Sequence, residues 1–355
     1  MRIAEDMTFP NRNAAGSSMY AVELLRELQQ RDDVAVREVA AKTGGLPRTL
    51  TWLAGGARAA IAESELVHCP AFVAPWNMGK PFVLTVHDTS ILDFPEDHAF
   101  EWRMYIRMFL ARRARAAVRV ITGTENSRRE IAQDLGVPAE RIAVTPYGVA
   151  ARFGQPRPHG MTVGDAPQLL FPGAPTRRKN LDLVLRGMAE APPGNALRRA
   201  RLVISGAKAD GFPAHRERIT ALGLESRVEW AGNLPLERVP DLMQGSDLLV
   251  YPSFQEGFGF PALEAMAAGT PVVASSASCL PEVLGDGALL VAPTDLKGFI
   301  DAVAAVLTRS DLRQDLIARG KARAAQFTWR RCADLTVDVY RDAIASSART
   351  GVGTR

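Results

Sequence analysis

Cysteine is scarce in this chain, with only Cys69, Cys279 and Cys332 among 355 residues. Their spacing matches no metal-binding set, and three thiols cannot all pair within one chain, so reduced and buried thiols are expected. Long apolar runs are also missing. No hydrophobic stretch reaches the roughly 20 residues needed to cross a bilayer, and the start MRIAEDMTFP lacks the apolar core of a signal peptide. The expectation is a cytoplasmic protein, with peripheral contact at the inner face of the plasma membrane left open. The five histidines are dispersed and no paired-acid motif recommends a divalent ion, so no metal is expected. There is no internal repeat and no RNA- or DNA-binding module. No tight GxGxxG follows a strand, which sets aside a dinucleotide fingerprint.

What is present points to an α/β protein with two cores. The length suits two domains of about 150–180 residues, and 47% hydrophobic content can fill both. Short apolar runs alternate with helical patterns: Arg2–Met7, Val34–Val39, Leu66–Pro70, Phe82–Val86, Val118–Thr122 and Ile142–Tyr147 read as strands. The rhythm resumes at Leu169–Pro172, Leu202–Ser205, Val228–Trp230, Leu248–Tyr251 and Val272–Ala274. Such alternation predicts mainly parallel sheets with helices on their faces. Between the two series, ARFGQPRPHGMTVGDAPQ is rich in Gly and Pro and follows neither period, as a linker does. The division expected is 1–152, a linker 153–168, 169–328, and a terminal helix and tail 329–355.

The net charge is only +4, but arginines concentrate at Arg103, Arg107, Arg112, Arg113, Arg115 and Arg119, over an amphipathic helix and the next strand. A solvated helix face is one reading; contact with phospholipid or a lipid-phosphate acceptor is the other.

The densest chemistry lies in FQEGFGFPALEAMAAG, Phe254–Gly269. It reads as strand, loop, helix, glycine stop and strand, with Pro261 in the first helical turn, where a missing N–H costs nothing. Gly257 and Gly259 let backbone approach a ligand closely, which suits an anion at a helix start. Glu256 lies in the loop and Glu264 within the helix, so the two can meet different parts of one ligand. Upstream, FPGAPTRRKNLDLVLRGM places Arg178 and Lys179 just before a helix that Asn180 is expected to cap. Fixed cations there suit a ligand with concentrated negative charge. In the first half, PFVLTVHDTSILDFPEDH ends an apolar strand at His87 and Asp88.

Together these segments resemble the retaining nucleotide-sugar glycosyltransferases of family 4, and the likeness covers nearly the whole chain. The family implies a GT-B fold of two facing Rossmann-like domains and transfer without a metal or other cofactor. It implies that Glu256 lies near the donor sugar, Glu264 binds ribose hydroxyls, Lys179 and Arg178 meet the diphosphate, and His87 faces the sugar. The backbone and side chains around Gly257, Phe258, Gly259 and Phe260 join the donor site. The loop Gly232, Asn233 and Leu234 passes near the base, and Gly16 lies near the donor phosphate. Asp88 organises its loop, while Asn126 and Ser127 orient the acceptor side or cap a helix. This chain departs from the family at Ala14 and Ala15, where glycines are common, at Ala174 after the loop's first glycine, and at Tyr147, where Asn is frequent. Phe327–Trp329 adds a further match.

The reaction implied is transfer of a hexosyl group to a polysaccharide or lipid-linked saccharide. The RKN form resembles mannosyltransferases and favours GDP-mannose as donor. No enzymic nucleophile stands out, so front-face transfer is expected. A nucleotide-sugar epimerase or hydrolase on the same architecture, or a silent nucleotide-sugar-binding protein, remain the alternatives.

Overall fold

The computed structural model describes residues 1–12, 16–41, 50–155, 166–207 and 212–350. The chain divides into two compact units, Met1–Gly148 with Phe327–Arg355, and Val149–Gln326. Each is built on a six-stranded sheet whose pairings are all parallel.

In the first unit the strands are β1 (Arg2–Asp6), β2 (Ala35–Val39), β3 (Leu66–Cys69), β4 (Phe82–Thr85), β5 (Arg119–Thr122) and β6 (Ile142–Val144), in the order β2-β1-β3-β4-β5-β6. β3 and β4 are buried on both faces, which is why they read as unbroken apolar runs. The helix Gly16–Gln29 turns Tyr20, Leu24 and Leu28 inward, each with no exposed surface. Ala14 and Ala15 lie outside the described residues.

The terminal helix Trp329–Thr350 packs in this same unit. Its Tyr340 hydroxyl reaches His68 Nδ1 at 2.7 Å, and Arg119 pairs with Asp342 at 2.6 Å. At its start the backbone runs against Gly148, where an added Cβ would sit 2.2 Å from the Trp329 nitrogen, so only glycine fits.

In the second unit the strands are β7 (Gln168–Pro172), β8 (Arg201–Ser205), β9 (Val228–Gly232), β10 (Leu248–Tyr251), β11 (Val272–Ser275) and β12 (Leu289–Val291). Among the described residues, eleven of the twelve strands coincide in place with those expected. β12 does not, because it is a half-buried edge strand of three residues, too short to show a period. The order β12-β11-β10-β7-β8-β9 reverses direction between β7 and β10. In a doubly wound sheet, ligands bind outside the carboxyl ends of the strands at such a reversal. The loops leaving β7 and β10 carry Arg178 and Lys179 on one side and Glu256 on the other. Residues 156–165, most of the segment read as a linker, lie outside the described residues.

Candidate active site

β7 ends at Pro172, and the chain turns through Arg177–Lys179 into the helix Leu181–Glu190. β10 ends at Tyr251, and its loop leads to the helix Phe260–Ala268. Because the strands are neighbours, their loops close on each other. Arg178 Nη1 lies 2.8 Å from one Glu256 oxygen, and Lys179 Nζ lies 3.5 Å from the other. Arg178 also donates to the Gln255 carbonyl and accepts from the Phe254 N–H, tying the two loops together. All three charged side chains are largely buried. Burial would raise the Glu256 carboxyl, but the charges of Arg178 and Lys179 overcome it and hold it at about 2. Two cations share one acid, so the cluster carries a net positive charge toward any ligand.

Tyr251, the last residue of β10, underlies this arrangement. Lys179 Nζ sits 4.8 Å from its ring centroid and 3.4 Å from its hydroxyl, a cation–π contact that limits where the ammonium can point. The loop ends at Gly259, whose φ of 86° starts the helix and whose missing side chain leaves room for Leu280, 2.7 Å from where a Cβ would be. Gly257 and Phe258 are buried beside it, and the Phe258 and Phe260 rings pack at 5.1 Å.

Glu264 faces a different environment. It is 7% exposed, and no hydrogen bond or ion pair joins its carboxylate to another described residue. Burial pushes its carboxyl up to about 7, opposed by the more distant charge of Arg152. A buried carboxylate without a hydrogen-bond donor is costly, and natural folds retain one chiefly where a ligand completes it. The remaining loop of the expected donor set, Gly232 to Leu234, leaves β9 with Gly232 at φ 69° and Asn233 exposed.

In the first unit His87 follows β4 and is enclosed by the rings of Tyr20, Phe72 and Tyr147, all edge-on within 5.5 Å. Its Nε2 lies 3.2 Å from the Pro70 carbonyl, which can only accept, so Nε2 carries the proton. Nδ1 then accepts from the Tyr147 hydroxyl at 2.8 Å. Burial lowers the imidazole to about 4, with Asp88 pulling the other way, so it is neutral at physiological pH. Asp88 Oδ1 accepts from the Ser90 N–H and hydroxyl, closing its own turn. Thr124 caps the helix Glu125–Leu135 by accepting from the Ser127 N–H, while the Asn126 amide donates to Glu130. Gly16 opens the first helix at an exposed position.

Two family models match the chain: "Glycosyltransferase Family 4" over residues 14–153 and "Glycosyl transferases group 1" over 158–323. The O-antigen chain mannosyltransferase B of Escherichia coli is 32% identical over 290 residues, 79% of this chain and 74% of that one. The chain belongs to the family-4 glycosyltransferases.

It is a nucleotide-sugar transferase of the retaining type. The transferase is also 32% identical to a D-inositol 3-phosphate glycosyltransferase of Nocardia farcinica, over 67% of this chain and 56% of that one. It is 32% identical to the MMP alpha-(1->4)-mannosyltransferase of Mycolicibacterium hassiacum, over 77% and 68%. The solved structure of Anabaena Alr3699/HepE with UDP and glucose covers 96% of this chain and all of its own, with a TM-score of 0.76 and 20% identity. That likeness is one of fold, and the fold is GT-B.

The expectation of GDP-mannose is overturned. HepE is solved with UDP, with UDP and glucose, and with UDP-glucose, and a guanosine donor has no support among these structures. The physical reason is that the RKN triplet on which the expectation rested is suited to the diphosphate, which every such donor shares. It carries no information about the base.

Asn180 also departs from expectation. It does not cap the transferase's helix Leu181–Glu190 with its side chain. Its amide donates instead to the carbonyls of Pro252 and Pro293, at 3.1 and 2.8 Å, while its backbone sits at φ 58°. Asn180→Ala is expected to cost about 2 kcal/mol, from two lost hydrogen bonds and a left-handed backbone that alanine resists. Urea unfolding measures it, and Asn180→Gly, which keeps the backbone, should lose less.

Among the described residues the three non-glycine positions with positive φ are Phe72, Asn180 and Ser278. Each touches or adjoins a candidate site residue: Phe72 lies against His87, Asn180 follows Lys179, and Ser278 binds Glu256. Strained backbone of this kind persists where surrounding contacts over-determine it. The Ser278 hydroxyl donates to the Glu256 carbonyl at 2.9 Å and accepts from its N–H at 3.2 Å. The sequence marks Tyr147 only as a departure from the family's Asn and gives no sign of the supporting roles of Tyr251 and Ser278, because nothing local links Ser278 to an acid 22 residues away.

Proposed function

We propose that the transferase moves a hexosyl group, mannosyl favoured, from a nucleoside diphosphate sugar to a saccharide or lipid-linked saccharide. The observation that carries the reading is the buried Arg178–Glu256–Lys179 cluster at the reversal between β7 and β10. A mannosyl group is favoured by two relatives named as mannosyltransferases. The proposal concerns the sugar and leaves the base at the level of a nucleoside diphosphate.

In this reading the bond from the anomeric carbon to the diphosphate breaks while the acceptor oxygen bonds that carbon on the same face. The acceptor proton passes to the departing diphosphate oxygen. Lys179 and Arg178 stabilise the negative charge growing on that diphosphate. Glu256 holds both cations in place and lies toward the sugar. Glu264 accepts hydrogen bonds from the ribose hydroxyls, which supply the donors its buried carboxylate lacks. His87 spends both ring nitrogens inside the first unit, on the Pro70 carbonyl and the Tyr147 hydroxyl, so no hydrogen bond to the sugar is assigned to it.

A donor-by-acceptor screen read by mass spectrometry tests the substrate classes, with NMR of the anomeric centre for stereochemistry. Retention in a saccharide product supports the proposal, and inversion overturns the mechanism. Donor turnover without a saccharide product points to a hydrolase or epimerase. Tight donor binding with no transfer across lipid-linked acceptors points to a silent binding protein.

A further inference from the structure

We infer that the surface of the helix running from Phe100 to Ala116 in the first unit is a docking face for an anionic phospholipid membrane. It is independent of the donor chemistry. The helix is continuous through Phe100–Tyr105, Ile106–Leu110 and Ala111–Ala116, the middle piece being a π turn. Its inner side is spent on the core: Ile106, Leu110 and Ala114 are buried there, with Trp102 and Tyr105 packed against them.

The outer side is not polar, as a solvated helix face would be. Phe100, Met104 and Met108, at successive fourth positions, are 67%, 38% and 58% exposed. The wider π turn advances each residue by less than an α-helix does, which keeps Met108 more nearly in line with Met104. Trp76 extends this apolar strip: its ring stacks on Phe109 of the same helix at 5.2 Å and remains 37% exposed.

Arginines border the strip. Arg103, Arg107 and Arg112 are exposed, and no ion pair or side-chain hydrogen bond joins them to another described residue. The other arginines of the stretch are engaged: Arg113 lies over the Phe82 ring at 4.5 Å, Arg115 reaches the Leu135 carbonyl, and Arg119 pairs with Asp342. Glu101 is the one acid in the helix.

An apolar stripe flanked by unpaired cations is the pattern of a helix lying in a membrane interface, apolar side chains in the acyl boundary and arginines among anionic headgroups. A protein partner of the same charge complementarity would be acidic. It would not call for large flexible apolar side chains standing free at i, i+4 and i+8 beside the cations, whereas a lipid surface accommodates them without shape matching.

Co-sedimentation of the full chain with phosphatidylcholine vesicles, with and without phosphatidylglycerol, tests the inference. Binding is expected to the anionic vesicles and to fall when salt rises to about 1 M, where the screening length is about 3 Å. Arg103→Gln with Arg107→Gln should lower the partition coefficient about 30-fold, the loss of two cationic contacts with the surface. Phe100→Ser with Met104→Ser and Met108→Ser should weaken it while leaving the thermal midpoint unchanged. Equal binding to both vesicle types, or anionic binding that neither variant reduces, overturns the inference. So does a dimer in vesicle-free solution that the serine variant dissociates, which would assign the stripe to a second copy of the chain. If the serine variant does not fold, the arginine variant decides alone, since its side chains hold nothing in place.

Discussion

Lys179→Ala is expected to lose about 100-fold or more in turnover at saturating donor and acceptor while keeping its fold. The magnitude follows from the removal of one electrostatic donor from a preorganised site, about 2.7–4 kcal/mol in the transition state. The fold should survive because Arg178 remains 2.8 Å from Glu256 and keeps that buried carboxylate paired. Lys179 itself lies over the Tyr251 ring, in the turn before the helix Leu181–Glu190, and fills none of that helix's apolar face.

Arg178→Ala provides the comparison. It removes the contact to the Gln255 carbonyl as well as the ion pair, so its defect should appear in thermal stability and donor KM as well as in turnover. Near-normal turnover in the Lys179 variant would remove that lysine from the leaving-group role. A larger turnover defect in the Arg178 variant, at equal stability, would transfer the role to Arg178.

Glu264→Gln is expected to stabilise the unliganded protein and to weaken donor binding. Burial raises the folded-state carboxyl from an ordinary 4.5 to about 7. The sign follows from proton counting. Between 4.5 and 7 the folded chain holds a proton that the unfolded chain has released, so stability falls as pH rises through that window and stays low above it. The penalty at pH 8 is about 3 kcal/mol. Glutamine cannot ionise, so the variant should be more stable than the parent at pH 8 and indistinguishable at pH 4.

Donor binding should move the opposite way. A charge-assisted hydrogen bond to a ribose hydroxyl is worth about 1.5–3 kcal/mol, so affinity should fall roughly tenfold or more. In the parent, affinity should rise with pH through about 7, because the hydroxyls bind the ionised form. Thermal unfolding at the two pH values and donor titration across the window separate the effects. Unchanged donor affinity removes Glu264 from the ribose, and a variant no more stable at pH 8 removes the buried-charge penalty.

The retained cost at Glu264 and the satisfied charge at Glu256 show two ways of burying an acid in one loop and helix. Glu256 is neutralised by cations from a neighbouring loop and ionises easily. Among the described residues, Glu264 has Arg152 at longer range. Both acids were legible as candidates from their spacing in FQEGFGFPALEAMAAG, but their opposite titration was not. The spacing places them on a loop and a helix; what surrounds them comes from other strands.

Strand and helix order was open to reading in the sequence because it rests on local periodicity. β3, β4, β10 and β11 are buried on both faces and therefore appear as short unbroken apolar runs. Gly269, at φ 83°, ends its helix where the pattern stops. The half-buried β12 had no such signal. The motif around Glu256, the cations at Arg178 and Lys179, and the family were likewise determined by the sequence itself. Only the tertiary structure decided that those cations close on that acid, because the sheet places β7 beside β10 although their loops lie 77 residues apart at the Arg178–Gln255 contact. It also decided that His87 is neutral, that Asn180 braces two loops instead of capping a helix, and that Ser278 clamps Glu256. Burial and electrostatic surroundings are sums over residues distant in the chain, so they come into being only when the strands take their order.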